Sequence, residues 1–211
     1  MTAQVAGADA AGGDIFAKKK EAVLRAFGGA GAYRFARWRR PIVPVVFGVD
    51  DATLAAVKGG IEAVVALAGH KMAETDAEMG ANLFVFFLRD WPDLAGAAEL
   101  EGLVGPVAPL AARLAAADAR RHVLHRLEED GAIRAAVVLE RVAGGEDAGA
   151  LSLALAARAL LSWGPDAPAP VVAGQLSDEA AALIRAAYDP VLPAASMDAS
   201  HAMRLAARMM T

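Results

Sequence analysis

"ANLFVFFLRD", residues 81–90, decides the fold. Six apolar residues of high strand propensity run from Leu83 to Leu88 and end in charge, which reads as a buried strand. Two other stretches have the same character. "PIVPVVFG", residues 41–48, is valine-rich, and Pro44 marks it as an edge strand or a bulge because proline cannot donate to a ladder. "AIRAAVVLER", residues 132–141, is a third strand.

Helical segments lie between these strands. Residues 14–27 carry Ile15, Phe16, Val23, Leu24 and Phe27 at helical spacing behind Asp14, an N-cap residue. A helix follows Asp50 or Asp51 and ends near Gly69. Gly59 and Gly60 in its middle each cost about 1 kcal/mol against alanine, which close packing against a sheet would offset. Residues 98–129 read as mostly helical with a break at Gly105-Pro106. Leu151–Trp163 is a helix apolar nearly all round, and such a helix belongs inside. A further helix starts at Ser177, with acids in its first turn, and a last one runs to the C-terminus. The order is α, β, α, β, α, β, α, α, α. It predicts an α+β fold with α/β-like order, a small mixed sheet covered by helices. Residues 1–13 are small and Gly/Ala-rich and read as a disordered tail, leaving 14–211 as a single α+β domain.

Composition excludes several chemistries. The 211 residues contain no cysteine, so disulfides, Cys-ligated zinc, iron–sulfur clusters and thiol catalysis are ruled out. The apolar fraction of 56% owes much to alanine, and no run reaches the roughly 18–20 residues that a membrane span needs. The first residues lack the basic-then-apolar order of a signal peptide, so the expectation is a soluble, cytoplasmic protein with no membrane partner. A net charge of −4 argues against nucleic acid. The exception is "YRFARWRR", residues 33–40, where Arg34, Arg37, Arg39 and Arg40 alternate with aromatics and suit single strands. Phe35 and Trp38 also suit a core.

Few side chains suggest a reaction centre. His122 and His125 are three apart, which on a helix places them on one face, with Glu128 or Glu129 as a third ligand. The favoured reading of "DARRHVLHRLEED" is a solvated helix end. Glu74, Asp76 and Glu78 offer oxygen ligands without the spacing of an EF-hand. No Gly-x-Ser-x-Gly elbow and no phosphate-binding glycine loop is present.

The chain from about Phe35 to Met203 resembles a bacterial family of zincin-like metallopeptidases of unknown function. The likeness rests on "RWRRPIVPVVFG", "ANLFVFFLRD", the helix in "LSLALAARALLSWGPDAP" and, most specifically, the tail "LSDEAAALIRAAYDPVLPAASM". Zincins carry His-Glu-x-x-His on one helix, where two histidines grip zinc and the glutamate activates water. If Gly164 stands for the glycine that often follows, the histidine positions fall on Ala157 and Leu161 and the glutamate on Arg158. None of the three can do that chemistry. Met197 resembles the methionine that lies beneath the metal in related proteins. The resemblance therefore implies a degenerate, non-catalytic binding or accessory protein with no metal or cofactor and an unidentified partner, a protein being the class considered. The alternatives are a hydrolase built on the acids or histidines above, and nucleic-acid binding through Arg34–Arg40.

Overall fold

The computed structural model describes residues 2–29 and 32–211, with side chains from residue 12 onward. Helix α1 spans Thr2–Phe27, so the segment read as a tail forms its first turns rather than standing apart from it. Its last turns bury Val23, Ala26 and Phe27. The central sheet has four strands: β1 (Pro44–Phe47), β2 (Leu83–Leu88), β3 (Arg121–Leu127) and β4 (Ile133–Arg141), in spatial order β1-β2-β4-β3. The first three in that order are parallel, and β3 runs antiparallel to β4 on the far edge. The fold is α+β, with a mixed sheet. Strand β1 forms the other edge, one of the two placements that Pro44 allows.

Both faces of the sheet are covered. Leu83, Val85 and Phe87 alternate toward one face together with Ala136 and Val138. That face packs against α2 (Asp51–Leu67) and α4 (Ala148–Leu160), with α5 (Asp178–Ala187) and α6 (His201–Arg208) completing the cluster. Val137 and Leu139 face the other way, onto Trp91, Leu94 and helix α3 (Val107–Ala116). Strand β4 is thus buried on both sides from Ala135 to Leu139, which is why that run is continuously apolar instead of alternating.

The largest departure from the sequence reading is β3. Residues 121–127 form a strand, not the end of a helix, which stops at Ala116. The reason is long-range pairing: Arg121 faces Glu140, His122 faces Leu139, and the ladder continues to Leu127 opposite Ile133. The turn between the strands carries Asp130-Gly131, with Gly131 at φ +86° and its N–H donated to the Glu128 carbonyl at 3.0 Å. An Asp-Gly pair between two runs of strand-forming residues is a hairpin signal. Local helix propensity in "AARLAAADARRHVLHRL" had masked it.

The glycine pair in α2 also has a different explanation. Gly60 meets α4, not the sheet. A Cβ there would lie 2.5 Å from Ser152 Oγ and 2.9 Å from the Ser152 carbonyl carbon, whereas Gly59 faces open space. The two sites should therefore respond oppositely. Gly59→Ala is expected to raise stability by about 0.5–1 kcal/mol through helix propensity. Gly60→Ala is expected to lower it by about 1–3 kcal/mol by overpacking the α2–α4 contact. Urea unfolding of the two variants reads both; equal effects would show that the contact is not tight.

Candidate functional site: a cleft beside helix α4

Helix α4 begins three residues earlier than its composition suggests. Asp147 caps it, accepting from the Gly149 N–H at 2.8 Å and the Ala150 N–H at 3.3 Å. It ends at Leu160; Leu161 is already extended, at φ −135° and ψ 154°, and bridges to Arg37. The end of the helix is buried, and its last four carbonyls need partners. Side chains supply three of them. Trp163 Nε1 donates to the Ala157 carbonyl (2.7 Å), Trp38 Nε1 to that of Ala159 (2.9 Å), and the Tyr188 hydroxyl to that of Leu160 (3.1 Å). His125 Nε2 lies 3.2 Å from the same Ala159 oxygen and must donate to it, since a carbonyl only accepts.

Most of α4 is core, including Leu151, Leu155, Ala156, Ala157 and Leu160. One stripe is not. Ala150, Ala154 and Arg158, four residues apart, line a cleft of about 700 Å³. Strand β3 lines it as well, through Arg121, Val123 and His125, alternate residues on one face. Arg120, His122, Glu146, Asp147 and Leu151 reach its rim, and the segments Trp163–Pro165 and Ala169–Val171 contribute the rest. Gly164 is held by the close approach of another strand of chain. Its N–H donates to the Ala26 carbonyl at 2.7 Å, and a Cβ would lie 2.2 Å from the Gly28 oxygen. That contact pins the loop to the end of α1.

Charge in and around the cleft is arranged in layers. Glu140 of β4 is fully buried, pairs with Arg121 Nε, and accepts from Arg120 Nε at 3.2 Å. Glu146 lies 3.7 Å from Arg120 Nη2. The N–H groups of Ala143 and Gly144 donate to Glu146, and the Ala143 bond is the main reason its carboxyl is held below the usual range. Arg158 is different. Its Nη2 donates to the carbonyls of Ala167 (3.0 Å) and Pro168 (2.8 Å), and its guanidinium lies 5.4 Å from the Trp163 ring centroid. Among the described residues no carboxylate lies within ion-pair distance of it. Burial, and then the charge of Arg121, push its pKa down.

The residues singled out in the sequence fall as follows. Arg158 lines the cleft, while Ala157 and Leu161 are buried in the core and do not. Leu161 lies beyond the helix, so these two positions are not successive turns of one helical face. Met197 is 74% exposed and lies outside the core. His122 and His125 do not share a face, because on a strand residues three apart point oppositely. His125 is held against α4, and His122 lies within reach of the charge of Arg113 of α3. Asp76, Glu78 and Glu128 are gathered by Arg40, at 3.1, 3.3 and 2.6 Å, and Glu78 also meets Arg134 at 3.2 Å. Among the described residues no group of three or more His, Asp or Glu side chains is placed to hold a metal. In the basic segment, Arg37 donates to the carbonyls of Trp38 and Leu192 and lies over the Tyr188 ring, and Arg39 pairs with Asp130. Phe35 and Trp38 are core. No helix among the described residues is long and apolar enough to cross a membrane.

Sequence reading missed Arg121 and His125 as parts of the cleft and Glu140 as the buried partner of Arg121, because all three depend on the β3–β4 pairing. The Asp130-Gly131 turn was the signal that could have found them.

Burial lowers the pKa of all four histidines, and that of His125 falls from 6.5 to about 4. Below pH 6.5 the unfolded chain therefore binds more protons than the folded one. The stabilisation is complete above pH 6.5 and is lost as pH falls toward 4. Asp76 behaves as a separate step. The Glu78 N–H is the chief cause holding it at about 2, so its contribution is lost only as pH falls from 3.8 to 2. Urea midpoints measured against pH should fall between 6.5 and 4, and His125→Gln, which keeps a donor for Ala159, should flatten that slope. An unchanged slope would show that His125 is not held neutral.

No protein-family model, curated protein or solved structure matches this chain.

Proposed function

We propose that this chain is a non-catalytic, zincin-like binding protein of the cytoplasm whose cleft beside α4 receives an extended segment of a protein partner. The observation that carries this reading is the meeting of two features. The cleft face of α4 presents Ala150, Ala154 and Arg158, with no metal-ligating side chain on that stripe. Opposite it runs β3, an edge strand that among the described residues pairs only with β4. An unpaired strand edge beside a cleft suits addition of a peptide strand, with main-chain hydrogen bonds for affinity and the cleft for side chains. The zincin-like part is supported by element order: strand, helix and strand, then, after intervening helices, the β3–β4 hairpin and an apolar helix, with β3 an addition to the three strands that the family plan implies.

A hydrolase built on Glu74–Glu78 fits less well, because Asp76 and Glu78 are engaged by Arg40 and Arg134. Nucleic-acid binding through Arg34–Arg40 meets the same difficulty, since Arg37 and Arg40 are engaged by partners within the chain and Arg39 is paired with Asp130 at the surface.

The test uses an acetylated, amidated heptapeptide of alternating threonine and valine with glutamate at its centre, mixed with protein purified without chelator. The expected result is 1:1 binding of intact peptide, with well under one zinc per chain. Stoichiometric zinc held by side chains, or cleavage of the peptide, would overturn the reading.

A further inference from the structure

We propose that the cleft is selective for an acidic side chain, whose carboxylate is received by Arg158 with Arg121 beside it. The inference rests on the cleft reading above and adds the chemistry that the cleft selects.

The argument begins with charge. Arg120 and Arg121 are matched by Glu140 and Glu146. Asp147 faces the N-terminus of α4, whose backbone dipole is worth about half a positive charge. Arg158 is left as one unmatched positive charge in a partly desolvated cleft. A single carboxylate pairs with it; a phosphate dianion would bring twice that charge against Glu146 and Asp147, which line the same cleft.

Geometry agrees. Arg158 commits Nη2 to the Ala167 and Pro168 carbonyls, which fixes the plane of the guanidinium. Trp163 lies near that guanidinium and leaves further N–H donors for a ligand. No protein acceptor among the described residues takes Nε or Nη1, and neither is a buried orphan atom, so both are open to the cleft. Both forks of a guanidinium share Nη2, which is committed here, so Nε and Nη1 each offer a single charge-assisted hydrogen bond to a carboxylate rather than a bidentate pair. Arg121, on the β3 side, is anchored from beneath by Glu140, which is completely buried. The site is thus built from behind by a carboxylate that solvent cannot reach.

A side chain, rather than a chain end, follows from the strand. Arg121 and Arg158 line a cleft that continues along β3 to His125, so a segment laid on that edge passes through the cleft.

The test compares the glutamate-centred heptapeptide with its glutamine counterpart, both acetylated and amidated, by NMR titration of isotopically labelled protein at low salt. The expected result is at least tenfold tighter binding of the glutamate peptide, with shifts mapping to β3 and α4. Arg158→Met should abolish that preference. Ala154→Glu, which places a carboxylate one helical turn from Arg158, should weaken the glutamate peptide at least tenfold while Arg158 remains, which covers the case in which Arg158→Met loosens the loop.

Equal binding of both peptides, with shifts at β3 and α4, overturns the acidic preference and leaves the cleft reading standing. Absence of binding by either peptide overturns both. A glutamine peptide with a free C-terminal carboxylate that outcompetes the amidated glutamate peptide overturns the side-chain assignment in favour of a chain end.

Discussion

Trp38→Ala is expected to lower the unfolding free energy by about 3–5 kcal/mol, the largest effect of any substitution considered, since a buried aromatic is lost. Trp38 is fully buried and bridges to Ile133 at the start of β4, and its indole N–H donates to the Ala159 carbonyl. It therefore joins the end of α4 to the sheet beside the cleft. Trp38→Phe separates the two contributions. It keeps most of the ring and should lose only about 1–2 kcal/mol, much of it from the unpaired indole bond. His125 still donates to the same oxygen. Denaturant unfolding of both variants measures the pair. A loss below 1 kcal/mol for Trp38→Ala would mean that the α4 terminus does not depend on this contact.

Glu140→Gln is expected to lower stability by about 3 kcal/mol. The substitution keeps shape but leaves Arg121, 16% exposed, facing a neutral group in the interior. Removing one partner of a buried pair is strongly destabilising, while removing both is often close to neutral. The double variant Glu140→Gln with Arg121→Met should therefore recover most of the loss. A double-mutant cycle measures the coupling directly. Additive losses would show that the two side chains act independently.

The sequence made the sheet interior legible and the cleft largely illegible, for one reason. Strands β2 and β4 announce themselves locally, since their apolar runs have no other way to be buried. Proline at position 44 likewise narrowed β1 to an edge strand or a bulge, and the sheet places it at an edge. Strand β3 does not. "RHVLHRL" is half polar because one edge and part of one face meet solvent or the cleft, and its strand character comes from pairing with β4. Reading it as helix placed His122 and His125 together when the pleat separates them, and hid the Arg121–Glu140 pair altogether. Helix α4 was readable as buried from its leucines and alanines, yet its boundaries were not. Its start is set by Asp147, and its stop by aromatic donors from Trp38, Trp163 and Tyr188 that lie far apart in the chain. The three-residue shift moved Leu161 off the helix. It also left Arg158, alone among the positions compared with zincin ligands, facing open space.

Hydrogen exchange across residues 121–127, with and without the glutamate-centred heptapeptide, tests the central claim most directly. Strand β3 has no partner on its outer edge among the described residues, so its outward amides exchange freely in the unliganded protein. Peptide addition on that edge predicts slowed exchange along β3 and in the Trp163–Pro165 segment, with the peptide recovered intact. Unchanged exchange in β3 while the peptide binds elsewhere, or recovery of the peptide cleaved, would contradict it.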